Sequence, residues 1–161
     1  MKKNEVKTNN KGFSLVELIV VIAIMAVLVG VLAPMFIRYV EKARESTDIN
    51  NLGSVVEALE AYCADKENLG GITITAELGQ PITMTGTSST VTVASIEQDL
   101  IDSGIITAAG QALPMKGSGW SGTGNAAPKC VYTPATGQKV YTAGSKYYTA
   151  NGTSDTEIKP K

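Results

Sequence analysis

Hydrophobic and polar residues are spread very unevenly along this chain. Residues 1–12 are polar and basic, with Lys2, Lys3, Lys7 and Lys11 set against Glu5. From Phe13 to Ile37 the chain is almost wholly apolar, with Glu17 as its one charge. As an α-helix rising about 1.5 Å per residue this segment would extend roughly 37 Å, enough to cross a hydrocarbon core of about 30 Å. Beyond Ile37 the helical pattern continues, but Arg38, Glu41, Lys42, Arg44, Glu45 and Asp48 charge most of its faces. That stretch reads as a solvated neck, or as one packed on other copies through mixed charges. An apolar seam then runs through Ile49, Leu52, Val56, Leu59 and Cys63, so one face is predicted to be covered. A coiled coil would give the same seam, but the stretch is short for one, and burial under a sheet of the same chain is favoured. Leu69, Gly70 and Gly71 mark the predicted end of the helix.

The rest of the chain has the period of strands. Ile72–Ala76, Pro81–Thr87 and Thr90–Ala94 read as short strands with half-exposed threonines. Ser95 with Gln98 resembles a capping box opening a brief helix through Ile101 and Asp102, stopped by Gly104. Residues 117–125 form a glycine- and serine-rich loop around Trp120, and Lys129–Thr133, Gln138–Thr142 and Lys146–Ala150 suit an antiparallel meander. The tail from Asn151 is expected to fray. The fold class is therefore α+β: a long N-terminal helix packed against a C-terminal antiparallel sheet. The expected division is a leader at 1–12, a membrane helix at 13–37, its amphipathic continuation at 38–71, a sheet head at 72–152 and a flexible tail at 153–161.

Composition narrows the chemistry. The 161 residues leave room for one modest domain, and a net charge of -1 gives no global reason to bind nucleic acid. Histidine is absent, which removes the commonest general base and transition-metal ligand together. No nucleophile with a base, phosphate loop or metal cluster is apparent, so no catalytic, metal or cofactor residue is assigned and the chain is not expected to be an enzyme. Cys63 and Cys130 are either two buried thiols or one bridge pinning sheet to helix, which would stabilise the head by about 4 kcal/mol on the chain-entropy estimate. Tyr132, Tyr141, Tyr147 and Tyr148 are read as sheet packing, and Glu97, Asp99 and Asp102 as a solvated face. Asn151-Gly152-Thr153 matches a glycosylation sequon, a weak signal in a polar tail.

Two features of the apolar segment need reasons. It is too long for a conventional signal peptide, and its one small-residue candidate cleavage site, near Gly30 to Ala33, runs straight into Pro34. A carboxylate at Glu17 would cost about 2.5 kcal/mol or more at the centre of a bilayer, so it either reaches the interface or meets a partner charge. Gly30 and Pro34 weaken the helical ladder, because proline has no amide donor and clashes with the preceding turn.

The run Lys11-Gly12-Phe13-Ser14-Leu15-Val16-Glu17-Leu18-Ile19-Val20 resembles the processing motif of type IV prepilins. The resemblance covers the first quarter of the chain; no head signature matches. It implies scission between Gly12 and Phe13 by a prepilin peptidase, N-methylation of Phe13, and a pilin fold. It further implies that Glu17 neutralises the Phe13 amine of a neighbouring subunit during assembly, and that the helix near Gly30 and Pro34 either kinks or melts in the filament. On this reading the chain is a major pilin, held first as a single-pass membrane protein and then built by the inner pilus assembly machinery into a homo-oligomeric helical filament at the cell surface, for adhesion, motility or DNA uptake. A pseudopilin of a secretion or competence apparatus is the alternative within the family. A membrane-anchored ligand-binding domain that never polymerises, with Trp120 and the tyrosines as contacts, is the alternative outside it.

Overall fold

The computed structural model describes residues 12–121, 124–152 and 155–161. The chain divides into two compact units, Met1–Tyr39 and Val40–Lys161. Residues 1–11 of the expected leader and Thr153 of the sequon lie outside the described residues.

The described part of the first unit is the beginning of α1, which spans Leu15–Cys63. Every residue from Gly12 to Tyr39 is exposed, including Phe13 at 90% and Leu15 at 72%. By length and composition α1 contains a segment able to cross a membrane. At Gly30 and Pro34, where a kink or melting in the filament is expected, α1 continues through both residues. Proline withholds one ladder bond, and the flanking leucine, methionine and alanine positions are good helix formers that carry the chain past it.

The second unit is built on the C-terminal part of α1. Leu52, Val55, Val56, Leu59 and Cys63 are buried, and Ile49 is half-buried against a smaller cluster with Trp120 and Tyr148. The helix ends at Cys63, earlier than the predicted stop at Leu69–Gly71. Ala64 and Lys66 N–H groups turn back to the Ala61 and Cys63 carbonyls, and Asn68 adopts a left-handed backbone (φ 58°), so the last turn closes before the glycines. The amphipathic continuation is therefore 38–63.

A six-stranded antiparallel sheet covers this face. Its strands are β1 (Thr73–Glu77), β2 (Thr83–Thr85), β3 (Ala126–Thr133), β4 (Gln138–Gly144), β5 (Tyr148–Asn151) and β6 (Lys159–Pro160), in the order β2-β1-β3-β4-β5-β6. Alternate residues of β1 and β3, Ile74 and Ala76 with Cys130 and Tyr132, join the α1 seam in the main core. The predicted meander is β3-β4-β5. The tail expected to fray instead supplies β6, because Tyr148 and Thr149 present an edge to Pro160 and Lys159.

The strand expected at Thr90–Ala94 is instead the start of α2 (Val93–Asp102). Thr92 is the N-cap: its hydroxyl accepts from the Ser95 N–H at 3.2 Å while Ser95 Oγ accepts from the Thr92 N–H at 3.0 Å. Ser95 thus closes the capping box as its third residue, where the sequence reading made it the first. Glu97 departs from the expected solvated face: it is buried and accepts from the Gly110 N–H at 3.0 Å. Cys63 and Cys130 are free thiols here, both buried in the same core cluster.

Candidate functional site

The first candidate site is the start of α1. Gly12, Phe13, Ser14 and Glu17 border one shallow exposed hollow. Ser14 precedes the first helical residue, and its N–H donates to a Glu17 carboxylate oxygen at 2.9 Å. Glu17 stands at the third helical position, where an acidic side chain reaching back to the cap satisfies an otherwise unpaired donor and meets the positive end of the helix dipole. The spacing Ser14-x-x-Glu17 is a capping-box signature that was legible in the sequence and missed beside the prepilin motif. Glu17 therefore already has a local structural task in the single chain. The scissile bond expected between Gly12 and Phe13 lies just before the helix, between two exposed residues outside any helix or strand.

The second constellation lies within the head and was not foreseen. Glu41, Glu45 and Asp48 had been read as part of a charged, solvated neck, yet Glu45 and Asp48 are both 0% exposed. They lie on α1 in phase with Leu52, so they continue the buried seam with carboxylates in place of apolar side chains. What covers them is the loop around Trp120. Asp48 Oδ1 accepts from the Lys116 N–H at 2.7 Å, and Oδ2 accepts from the Gly117 N–H at 2.7 Å and the Trp120 indole at 2.9 Å. Glu41 Oε1 accepts from the Ser118 and Gly119 N–H groups at 2.5 and 2.8 Å and from the Ser118 hydroxyl at 2.9 Å. Glycine is required in this loop by space: a Cβ on Gly119 would run into the Glu45 carboxylate, and one on Gly117 would stand 2.9 Å from Asp48 Oδ2.

The three acids differ in their electrostatics. Burial works against ionising Glu41, but the Ser118 hydroxyl, the Gly119 and Ser118 amides and Arg44 outweigh it, and its carboxyl sits below the ordinary range. Glu45 accepts only from the Ser145 hydroxyl, at 2.5 Å, and its Oε1 has no partner. Burial, reinforced by Glu41 and Asp48, outweighs Ser145 and Lys161 and pushes its carboxyl up. Among the described residues no group of three or more histidine, cysteine or acidic side chains is arranged to hold a metal ion. Most of the oxygens that would ligate one are engaged with N–H and O–H donors.

The aromatic residues behave as core. Trp120 is 2% exposed and its ring centroid lies 6.2 Å from that of Tyr148, at 34°. Tyr132 is buried and Tyr141 and Tyr147 are half-buried in the sheet. The ligand platform imagined for Trp120 and the tyrosines is thus not displayed on the surface.

Comparison with known proteins bears on the N-terminal site. The family model described as the prokaryotic N-terminal methylation motif matches residues 7–33. The chain is 32% identical over 99 residues to prepilin peptidase-dependent protein A of Clostridium perfringens, a match covering 61% of this chain and 66% of that protein. It is 28% identical over 67 residues to type IV major pilin protein PilA of Myxococcus xanthus, covering 42% of this chain and 30% of that one. The chain thus spans just under two thirds of the first relative and under a third of the second. No solved structure matches it significantly. A methylation motif at the head of an apolar helix, an α+β head and these two relatives show the chain to be similar to type IV pilin-like proteins with a prepilin motif.

Proposed function

We propose that the chain is a prepilin whose mature form is a major pilin. It is stored as a single-pass membrane protein through residues 13–37, cut between Gly12 and Phe13 by a prepilin peptidase that also methylates the Phe13 amine, and added by the inner pilus assembly machinery to a homopolymeric surface filament. The observation that carries this reading is the junction itself: the matched motif runs into α1, whose segment from Leu15 to Ile37 is apolar apart from Glu17 and exposed along its length. Apolar surface of this extent is covered either by lipid or by copies of itself. Cutting before the helix, not after it, lets one segment serve both environments.

In that sequence of events Glu17 changes partners. In the single chain it accepts from the Ser14 amide. In a bundle of such helices a second, cationic partner is available in the new α-amine of Phe13 on a neighbouring copy, and an unpaired carboxylate in an apolar bundle is penalised by several kcal/mol. The pairing would select axial register. Melting of the helix at Gly30 and Pro34 on assembly belongs to the same proposal: Pro34 withholds a ladder bond there, and α1 continues through it in the single chain.

A pseudopilin is the second reading. The longer match, to a prepilin peptidase-dependent protein at 66% of its length against 30% of the major pilin, supports processing by a prepilin peptidase and is compatible with either reading. Mass spectrometry of protein sheared from cells tests processing. A terminal peptide starting at N-methyl-Phe13 is expected, and an intact Met1 would overturn the proposal. Electron microscopy of the same cells separates the two readings, since long fibres containing this chain are expected of a major pilin and only short, overexpression-dependent ones of a pseudopilin. Glu17→Ala is expected to abolish fibres while leaving the head folded.

A further inference from the structure

The acidic seam of α1 holds one carboxyl to which the loop at 116–120 gives no donor. Glu41 and Asp48 each receive three donors from the loop at 116–120. Glu45 stands between them, 0% exposed, with Ser145 on Oε2 and nothing on Oε1. The loop is seated directly on it: a Cβ on Gly119 would run into Glu45 Oε1 with Glu41 Oε1 3.7 Å away, and one on Gly117 would lie 2.9 Å from Asp48 Oδ2 and 3.1 Å from Glu45 Cγ. Of the nearby cations, Lys161 acts on Glu45 only through space and is outweighed by burial and the two neighbouring acids, and Arg44 is turned to Glu41. Lys161 Nζ donates to the Ser145 carbonyl at 2.5 Å, and Arg44 lies 3.8 Å from Glu41. Ser145 Oγ also accepts from the Tyr147 and Tyr148 N–H groups, both at 3.1 Å, so its own hydrogen is what it offers Glu45.

We propose that Glu45 is a proton-held latch: its carboxyl is neutral while the Trp120 loop and the Ser145 turn are docked on α1, and losing that proton to solvent as the pH rises loosens both. Oε1, the oxygen without a donor, is the seat of the proton, on the side where the Glu41 carboxylate lies. A buried carboxyl beside an ionised one favours keeping its own proton. Ionising Glu45 would place a third negative charge between two fixed ones, and the structure relieves it by admitting water under the loop. The burial-raised affinity for the proton sets the sign. Across the window above the ordinary carboxylate range the folded state binds more protons than the unfolded one, so docking weakens as pH rises. The latch stands on the geometry of the head alone and survives any revision of the filament role.

Trp120 is the sole tryptophan and sits on the latch, which makes it the reporter. The full chain in detergent micelles is titrated from about pH 5 to pH 9, a range above ordinary carboxylates and below ordinary tyrosines. Wild-type emission is expected to shift red as the pH rises, reversibly. Glu45→Gln keeps the acceptor for Ser145 and has no proton to lose, so its emission is expected to stay at the docked position throughout. A flat wild-type titration, or an equal red shift in E45Q, overturns the proposal. A direct 13C titration of the wild-type Glu45 carboxyl decides independently, should E45Q fail to fold: a midpoint above the ordinary carboxylate range supports the latch, and an ordinary one removes it.

Discussion

Asp48→Ala is the sharpest test of how the head is held to its helix. The carboxylate receives the Lys116 amide at 2.7 Å, the Gly117 amide at 2.7 Å and the Trp120 indole at 2.9 Å. Alanine leaves three donors facing a small void. The Lys116 bond is only part-buried, so that amide can turn to water; the Gly117 and Trp120 bonds are buried. Stranding a buried donor costs about 1–3 kcal/mol, and bonds to charged groups lie at the upper end. Two such losses, softened by some water entry, give about 3–5 kcal/mol, a large share of the roughly 5–15 kcal/mol that holds a typical domain folded. Urea unfolding of the detergent-solubilised chain, followed by far-UV circular dichroism, measures this. With a slope of about 1–3 kcal/mol per molar, the midpoint should fall by at least about 1 M. Asp102→Ala is the control, because Asp102 is exposed and accepts only from Gln98, and such surface changes cost about 0.5 kcal/mol or less. If the Asp48→Ala midpoint moves no further than that of the control, the loop contributes nothing to the hold on α1 and the account of the acidic seam is wrong.

Other consequences can be checked on the same material. Burial pushes the Cys130 thiol up to about 11, and burial raises Cys63 too; both should resist alkylation at pH 8, with Cys130 at least about two orders of magnitude slower than a free thiol, and both should react once unfolded without reductant. Absence of free thiol in denaturant would show that they are bridged. Glu41 has its folded-state pKa lowered from 4.5, so its contribution is present above that value and lost as pH falls below it. Melting temperatures from about pH 6 down to pH 3 should therefore fall less steeply in Glu41→Gln than in wild type, and parallel curves would refute the role of its donors.

The first quarter of the chain was legible because its signals lie along one dimension. A bilayer-length apolar run needs no tertiary partner to be recognised, and Glu17 is conspicuous within it. Thr90–Ala94 misled because threonine and valine favour strands as strongly as threonine favours a helix cap. What decided it was Ser95 at the third helical position closing the box with Thr92. The tail was read as frayed because nothing in Lys159-Pro160 announces a strand; its order comes from the edge β5 offers it and from the Lys161 bonds to Tyr147 and Ser145.

The acidic seam was illegible for a more general reason. Glu41 and Asp48 are paired mainly with backbone amides 68 to 78 residues away, and a backbone donor has no side-chain signature in a sequence. Two signals nevertheless point to it when taken together. Glu41, Glu45 and Asp48 keep the four-then-three spacing that Leu52, Val56 and Leu59 continue, so charge replaces hydrocarbon without a change of helical phase. The chain also contains a loop, Lys116-Gly117-Ser118-Gly119-Trp120, whose glycines can bring amides close to another element. A helix face covered by a sheet meets side chains and can be apolar, because the strands satisfy their own amides. A face covered by a loop meets amides that have no ladder, and it has to offer acceptors. Charges in phase with a core seam, in a chain that also holds a glycine-rich loop, are therefore better read as buried acceptors than as a solvated surface.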